Sequence, residues 1–332
     1  MTPRPVTDPP APGTPEWRRM ITASKVASML RDAAGDYLGI GYNSAFELWH
    51  QMAGLWEPDG LDSRVLDRGH WMEASGREFW LYENPGWRIS RKEVAYTDSD
   101  LQFPNLVTLD SRASRGRSRR IVEIKAPRKD QGVHDKWRAQ VMFQMGVTGI
   151  HQADLVLMPQ YGEERIEHIE WDPDLYAAIV DDAAHFWRLL EAGTPPDAGA
   201  SEHAAQILAA LHPTPDPDTA IELPVDVMDE WTTALDRSAA AEKALTTVEN
   251  KVREQMGDAA RASFDGRVVA SRSAGRFAKT RLPKTDEAKA AVAACTVTKE
   301  SLDTAALKRD HPDLYAAATA APTYTFKRKD WS

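Results

Sequence analysis

The chain contains almost no cysteine. A single residue, Cys295, among 332 excludes an intramolecular disulfide and a zinc-cysteine cluster, and it suits a reducing compartment. No apolar run approaches the roughly 20 residues that a membrane-spanning helix needs. The opening segment MTPRPVTDPPAPGTPEW is rich in proline where a signal peptide would be apolar. These absences lead to the expectation of a soluble, cytoplasmic protein with no membrane partner. Internal repeats are missing too. So is an excess of positive charge, since the 50 acidic residues outnumber the 41 lysines and arginines and give a formal net charge of −9. That balance excludes a protein whose whole surface coats nucleic acid, but the distribution of charge matters more than its total.

The basic residues that are present cluster. Arg112, Arg115, Arg117, Arg119, Arg120, Lys125, Arg128 and Lys129 fall in one short stretch whose only acid is Glu123. A second acid-free stretch carries Arg267, Arg272, Arg276, Lys279, Arg281 and Lys284. An acidic body with two basic patches suits an enzyme that follows a phosphate backbone with one surface.

Within the first cluster, Ile121-Val-Glu-Ile-Lys125 reads as a β-strand from its branched residues. Side chains alternate along a strand, so Glu123 and Lys125 share one face and Ile124 points to a core on the other. Val107–Asp110 reads as the preceding strand, with the arginine-rich stretch as the hairpin loop. Two carboxylates and an ammonium then converge. Magnesium prefers oxygen ligands and keeps several waters, so Asp110 and Glu123, with the Ile124 backbone carbonyl as an extra oxygen, suffice to hold it. Lys125 would orient a water or neutralise charge growing on a phosphate. Glu-x-Lys alone is common, however, and other elements have to support it.

Two do. Glu73, four residues after Gly69 on a helix expected over Ser63–Tyr82, can act as a further ligand or hold a water. On a helix expected over His134–Val147, Gln140 and Gln144 share a face, and an amide there can bond both a water and a phosphate oxygen.

The remaining pattern is mixed α/β. Helices are expected over Glu16–Leu30, Ala45–Ala53 and Pro173–Glu191, the last capped by Asp172. Short strands are expected near Trp87–Tyr96, over Ala153–Met158 and over Arg165–Trp171. Residues 1–15 read as a flexible N-terminal arm, 16–192 as the catalytic domain and 193–224 as a Pro/Asp-rich boundary. Residues 225–332 read as a helical extension with an Asp265-Gly266 hairpin, a helix over Ser301–Lys308 and a closing strand, Thr323–Lys327. Leu245, Val248, Val252 and Met256 form a stripe typical of a helix-packing face.

Taken together, Ile21-Thr-Ala-Ser24, Gly69-His-Trp-Met-Glu73, Asp110, Glu123-Ile-Lys125 and Gln140 resemble the lambda-exonuclease-like, YqaJ-type viral recombinases of the PD-(D/E)xK nuclease superfamily. The resemblance spans roughly residues 16–192. It implies a restriction-endonuclease-like αβββαβ core with added helices and a mostly helical α+β C-terminal extension. It also implies 5′-to-3′ digestion of linear double-stranded DNA with magnesium, or manganese in its place, to leave 3′ single strands for recombination. By motif match Asp110 and Glu123 are metal ligands, Lys125 positions the water, Glu73 is the helical acid and Gln140 the motif glutamine. Thr22, Ser24 and one of Arg18 and Arg19 would hold the 5′-phosphate, and Arg115, Arg117, Arg119 and Arg120 would form a basic strap on DNA. Partners by resemblance are double-stranded DNA ends, a phage single-strand annealing protein and further copies of the chain, in a ring for example. The alternatives are an endonuclease or single-strand exonuclease with the same chemistry, or a DNA-binding module with a degenerate site. One departure stands out: Ser111 follows Asp110 where the family usually has glycine.

Overall fold

Local chemistry sets most of the helix ends. Helix α2 (Ala45–Ala53) begins with a reciprocal capping box: Ser44 Oγ accepts from the Glu47 N–H at 3.1 Å, and Glu47 Oε2 accepts from the Ser44 N–H at 3.0 Å. Asp172 caps α5 (Pro173–Glu191) by accepting from the Asp174 and Leu175 N–H groups, with proline in the first turn as expected. Helix α4 (Asp135–Thr148) stops at Gly149, whose φ of 68° favours glycine. The remaining helices of the first half are α1 (Pro15–Arg18), α3 (Ser63–Glu83) and α6 (Ala204–Leu211).

The computed structural model describes residues 3–57, 63–90, 93–130, 132–201, 203–214, 216–272, 285–286 and 304–310. The chain divides into two compact units, residues 1–213 and 214–332. The division falls inside the expected boundary 193–224, but α6 buries Ile207 and Ala209, so much of that segment belongs to the first unit.

The first unit carries two sheets. One has four strands in the order β1 (Pro3–Val6), β4 (Val94–Asp98), β5 (Asn105–Leu109), β2 (Ile21–Thr22). The other has five, in the order β3 (Arg88–Ile89), β6 (Ser111–Arg115), β7 (Ser118–Lys125), β8 (Gln152–Leu157), β9 (Arg165–Glu170). Strands β7 and β8 are parallel, with α4 as the crossover between them. Helix α3, strands β3, β6 and β7 of this sheet, α4 and β8 follow in the α-β-β-β-α-β order that the resemblance implies, with β4 and β5 of the other sheet inserted between β3 and β6.

Strand β7 separates two cores. Val122 and Ile124 pack beneath α3 with Trp80, Ala113, Val156 and Met158. Ile121 faces the larger core, with Leu155 and Leu157 of β8, Phe143 and Met145 of α4, and Ile179 and Phe186 of α5. Glu123 and Lys125 share the Ile121 face, as alternation requires.

Three expectations are corrected. The N-terminal arm is built into the fold: Pro3–Val6 pairs antiparallel with Asp98–Ala95 as a sheet edge, where proline is tolerated. Residues 16–30 are not one helix. Thr14 caps the short α1, and Ile21-Thr22, both β-branched, pair in parallel with Asn105 and Leu106. A 3-10 turn, Val26–Ser28, follows. The arginine-rich stretch is no loop either, because β6 and β7 pair down to Arg115–Ser118 and leave only Gly116-Arg117 as the turn. Gly116 has φ 60°, the first position of a type II′ hairpin.

The second unit contains α7 (Val225–Met256), β10 (Arg261–Phe264) and β11 (Arg267–Ser271), with α8 (Thr304–Asp310) further along. The hairpin turns at Asp265-Gly266, with φ 47° and 72°, as expected. Helix α7 buries none of its residues, and Leu245 and Val248 of the apolar stripe are exposed. The expected strand Thr323–Lys327 and most of the second basic stretch lie outside the described residues. Among the described residues no helix is long and apolar enough to cross a membrane.

Two glycines separate close packing from open space. A Cβ on Gly146 of α4 would come within 2.0 Å of the Tyr176 ring, whereas one on Gly69 of α3 would meet nothing within 4 Å. Gly146→Ala is expected to cost about 2–3 kcal/mol by overpacking, and Gly69→Ala to gain about 0.5–1 kcal/mol by helix propensity. Urea unfolding of both variants checks this, and equal effects would contradict the packing of α4 on α5.

Candidate active site

Antiparallel pairing of Ser111 with Val122, continued by one residue, sets Asp110 against Glu123. Asp110 is the residue at which the chain passes from β5 in one sheet to β6 in the other. Its Oδ2 accepts from the Ile124 N–H at 2.8 Å, which turns the carboxyl towards β7. Ser111, in the place where glycine was expected, is fully buried and donates through Oγ to the Ser90 and Asp110 carbonyls, so the side chain is absorbed by the strand crossing.

Glu123 is 1% exposed and is held by three side chains. Its Oε1 accepts from Lys125 Nζ at 2.8 Å and from Gln140 Nε2 at 2.6 Å, and its Oε2 accepts from Gln144 Nε2 at 2.9 Å. Gln144 Nε2 also donates to the Thr108 carbonyl at 3.1 Å, which ties α4 to β5. Both glutamines lie one helical turn apart on α4, so one helix face supplies a donor to each carboxylate oxygen. Their amide oxygens have no hydrogen-bond partner.

The charges do not balance. Lys125 is one cation against two facing carboxylates. Burial, and then the charge of Glu123, push the Asp110 carboxyl well above the usual carboxylate range, against the pull of Lys125 and the Ile124 N–H. Burial works against the Lys125 charge, but Glu123, Tyr42 and Asp110 outweigh it and raise its affinity for a proton. Glu73 is also raised, chiefly by burial and further by Glu93 and Glu123, against His70 and Arg77. Its carboxylate lies 3.9 Å from Arg77, one helical turn further along α3. Among the described residues no group of three or more His, Cys, Asp or Glu side chains converges to hold a metal ion. Glu73 feels the charge of Glu123 but does not line the cleft that the two acids share. The pair itself fits a hard divalent cation, for which one or two carboxylates and a carbonyl oxygen such as that of Ile124 are enough. Its uncompensated negative charge is the observation behind that fit.

Asp110, Glu123, Lys125 and Gln140 line a cleft of about 300 Å³. Thr22 and Ser24 line it as well, their hydroxyls 3.1 Å apart. Both hydroxyls therefore open on the same cleft as the two acids. The arginines are placed differently. Arg18 is ion-paired with Glu57, Arg19 is exposed, and neither lines the cleft. The arginine-rich hairpin does not lie beside the carboxylates as the strap reading expected. Its turn, six residues or more before Glu123, lies roughly 20 Å away along β7, at about 3.3 Å per residue. There Arg115 and Arg120 lie over the Trp87 ring at 4.9 and 5.2 Å, Arg120 is bonded to Asp154 at 2.8 Å, and Arg119 donates to the Gly116 and Ser118 carbonyls. Arg117 is exposed at the turn.

Sequence reasoning missed several cleft residues: Trp17, Glu93, Thr108 and the segment Pro9–Pro12. It also missed Lys25. That side chain is buried, sits 4.3 Å from the Trp17 ring, and donates to the carbonyls of Trp17, Arg18 and Met20 at 3.1, 2.8 and 2.7 Å. Burial, with Arg18 nearby, lowers its pKa to about 7. A larger cavity of about 630 Å³ lies in the second unit against α7 and β11, but its one acid, Glu249, is paired with Arg253 at 2.9 Å.

An acid whose proton affinity is raised by folding stabilises the fold at low pH. That contribution is lost as pH rises from the free carboxylate range through the folded value. Asp110→Asn removes the repelling charge. Without divalent ions the variant is expected to melt about 2–4 °C above the wild type at pH 7.5, or about 1 kcal/mol, with the gap closing towards pH 4. A variant that melts lower at every pH would contradict the charge account.

No family model matches the sequence, and no curated protein is similar to it. Among solved structures, an alkaline exonuclease from Laribacter hongkongensis, LHK-Exo, is similar over 54% of this chain and 94% of its own, at 22% identity and a TM-score of 0.40. The same protein in complex with dAMP gives the same identity and coverage and a TM-score of 0.41. A protein called SSO0001 is similar over 55% of this chain and 79% of its own, at 14% identity and a TM-score of 0.32. Likeness at this level carries no functional weight, which falls on the geometry of the site.

Proposed function

We propose that this chain is a metal-dependent nuclease that digests linear double-stranded DNA from its 5′ ends and leaves 3′ single strands. The observation that carries the reading is the buried Glu123 carboxylate, facing Asp110 and held by Lys125, Gln140 and Gln144. A buried acid with so many donors, beside a second acid whose charge is uncompensated, is a costly arrangement. Chemistry that needs a cation and a positioned proton donor would account for it.

A magnesium or manganese ion held by Asp110 and Glu123 would supply an acidified water and charge neutralisation on the phosphate. The chain's own groups do the rest. Lys125 Nζ, fixed by Glu123 Oε1, stands in the cleft as an ammonium that orients a water or meets charge growing on phosphate oxygens. Gln140 gives its amide N–H to Glu123 and keeps its Oε1 buried, so its part is to hold that carboxylate in place. Thr22 and Ser24 offer hydroxyl donors to a phosphate at the same cleft, which makes a 5′-phosphorylated end the favoured substrate. The same reading carries an annealing protein that takes over the 3′ strand, and assembly with further copies of the chain.

End-labelled linear duplex incubated with magnesium or with EDTA tests activity, metal need and polarity together. Wild type is expected to release the 5′ label first, with magnesium only. Lys125→Ala is expected to lose about 10²–10³-fold in rate while still binding DNA. Wild-type turnover by that variant, or release of the 3′ label first, would overturn the assignment.

A further inference from the structure

Thr22 and Ser24 reach the cleft from a tight turn, which the Lys25 N–H closes by donating to the Thr22 carbonyl at 2.9 Å. Strand β2 leads into that turn, with Ile21 and Thr22 paired to Asn105 and Leu106. Trp17, a third cleft residue from the same region, lies on α1. A helix of four residues is not stable by itself and needs support from outside. Thr14 Oγ1 gives it at the start by accepting from the Trp17 N–H at 3.3 Å. Lys25 gives it at the end, where Nζ donates to the carbonyls of Trp17, Arg18 and Met20.

Those three bonds use all three protons of the ammonium, so Lys25 keeps none for a substrate and acts through what it holds. Its side chain packs against the Trp17 ring, and the residue is only 8% exposed. A methionine there would fill the space without the cost of burying a charge, but it would offer the carbonyls no donor. The charge therefore serves as a tie between the exit of α1 and the turn that bears the two hydroxyls. With neither Arg18 nor Arg19 lining the cleft, that turn carries more of any grip on a terminal phosphate. We propose that Lys25 is a positioning residue that fixes the Thr22 and Ser24 hydroxyls for a terminal phosphate and so sets the preference for phosphorylated ends. The inference rests on the nuclease reading and adds to it the residue that tunes its choice of end.

The test compares digestion of linear duplex with 5′-phosphate and with 5′-hydroxyl ends, in magnesium and in manganese. It is run near pH 6, below the value of about 7 to which burial lowers Lys25, so that the ammonium is present. Wild type is expected to favour the phosphorylated end. Lys25→Met is expected to reduce that preference about fivefold or more, chiefly through KM for the phosphorylated end. In a Thr22→Val, Ser24→Ala background the same substitution is expected to change the preference by less than about twofold, because the groups it positions are gone. Should Lys25→Met fail to fold, Lys25→Arg decides by the same readings, since its flat fork keeps the charge but cannot aim at three converging carbonyls. A variant that melts lower yet keeps the wild-type preference overturns the positioning role and leaves the nuclease reading standing. Equal effects of the substitution with and without the two hydroxyls overturn it as well. Equal rates of wild type on both ends remove the phosphate preference and this inference, but not metal-dependent cleavage. Failure of wild type to cut either end with either metal removes the nuclease reading itself.

Discussion

The first unit is organised around one buried carboxylate. Removing an ionised Glu123 from water costs several kcal/mol unless donors replace the lost hydration. Lys125 comes from two residues along the same strand, where alternation puts it on the same face. Gln140 and Gln144 come from the helix that crosses from β7 to β8. Apolar residues at those two positions would leave the acid unpaired in the core, so α4 carries glutamines in an otherwise apolar surface. The same helix is fixed from behind by Gly146, which lets Tyr176 of α5 approach, and from the side by Gln144 bonding the Thr108 carbonyl. Core packing and the site's chemistry are the same set of contacts.

Asp110 depends on a different constraint. The strand that carries it leaves one sheet and joins the other at that residue, and this crossing turns the side chain towards the Ile124 N–H and Glu123. The resulting like-charge pair is held by the surrounding structure rather than relieved by it, since Lys125 supplies one positive charge for two negative ones. Such stored repulsion is expected where a cation binds and acts. It gives one account of both the raised proton affinity of Asp110 and the gain in stability expected when its charge is removed.

Much of this was legible in the sequence. Glu123 and Lys125 followed from strand alternation, Gln140 and Gln144 from helical spacing, and the cap of α5 from Asp172-Pro173. Other features were hidden for identifiable reasons. Ser111 and Ala113 point inward on β6 but are small, so a strand rich in arginine and serine gave no apolar alternation and read as a loop. The prolines of the arm read as disorder because proline cannot donate to a ladder, yet an edge strand does not require it to. Lys25 is invisible to periodicity, because a lysine that caps three carbonyls looks in sequence like any surface cation. The arginines of the hairpin were read from charge alone. Trp87 and Asp154, which engage Arg120, lie more than thirty residues away from it in opposite directions.

The central claim is that Asp110 and Glu123 together form a cation site whose charge the protein leaves uncompensated. Calorimetric titration of manganese into the protein without DNA, for wild type and Asp110→Asn, tests it most directly. Saturable binding in wild type, weakened at least tenfold by the substitution, is the result predicted. Equal binding by both proteins, or no saturable binding in wild type, would contradict it.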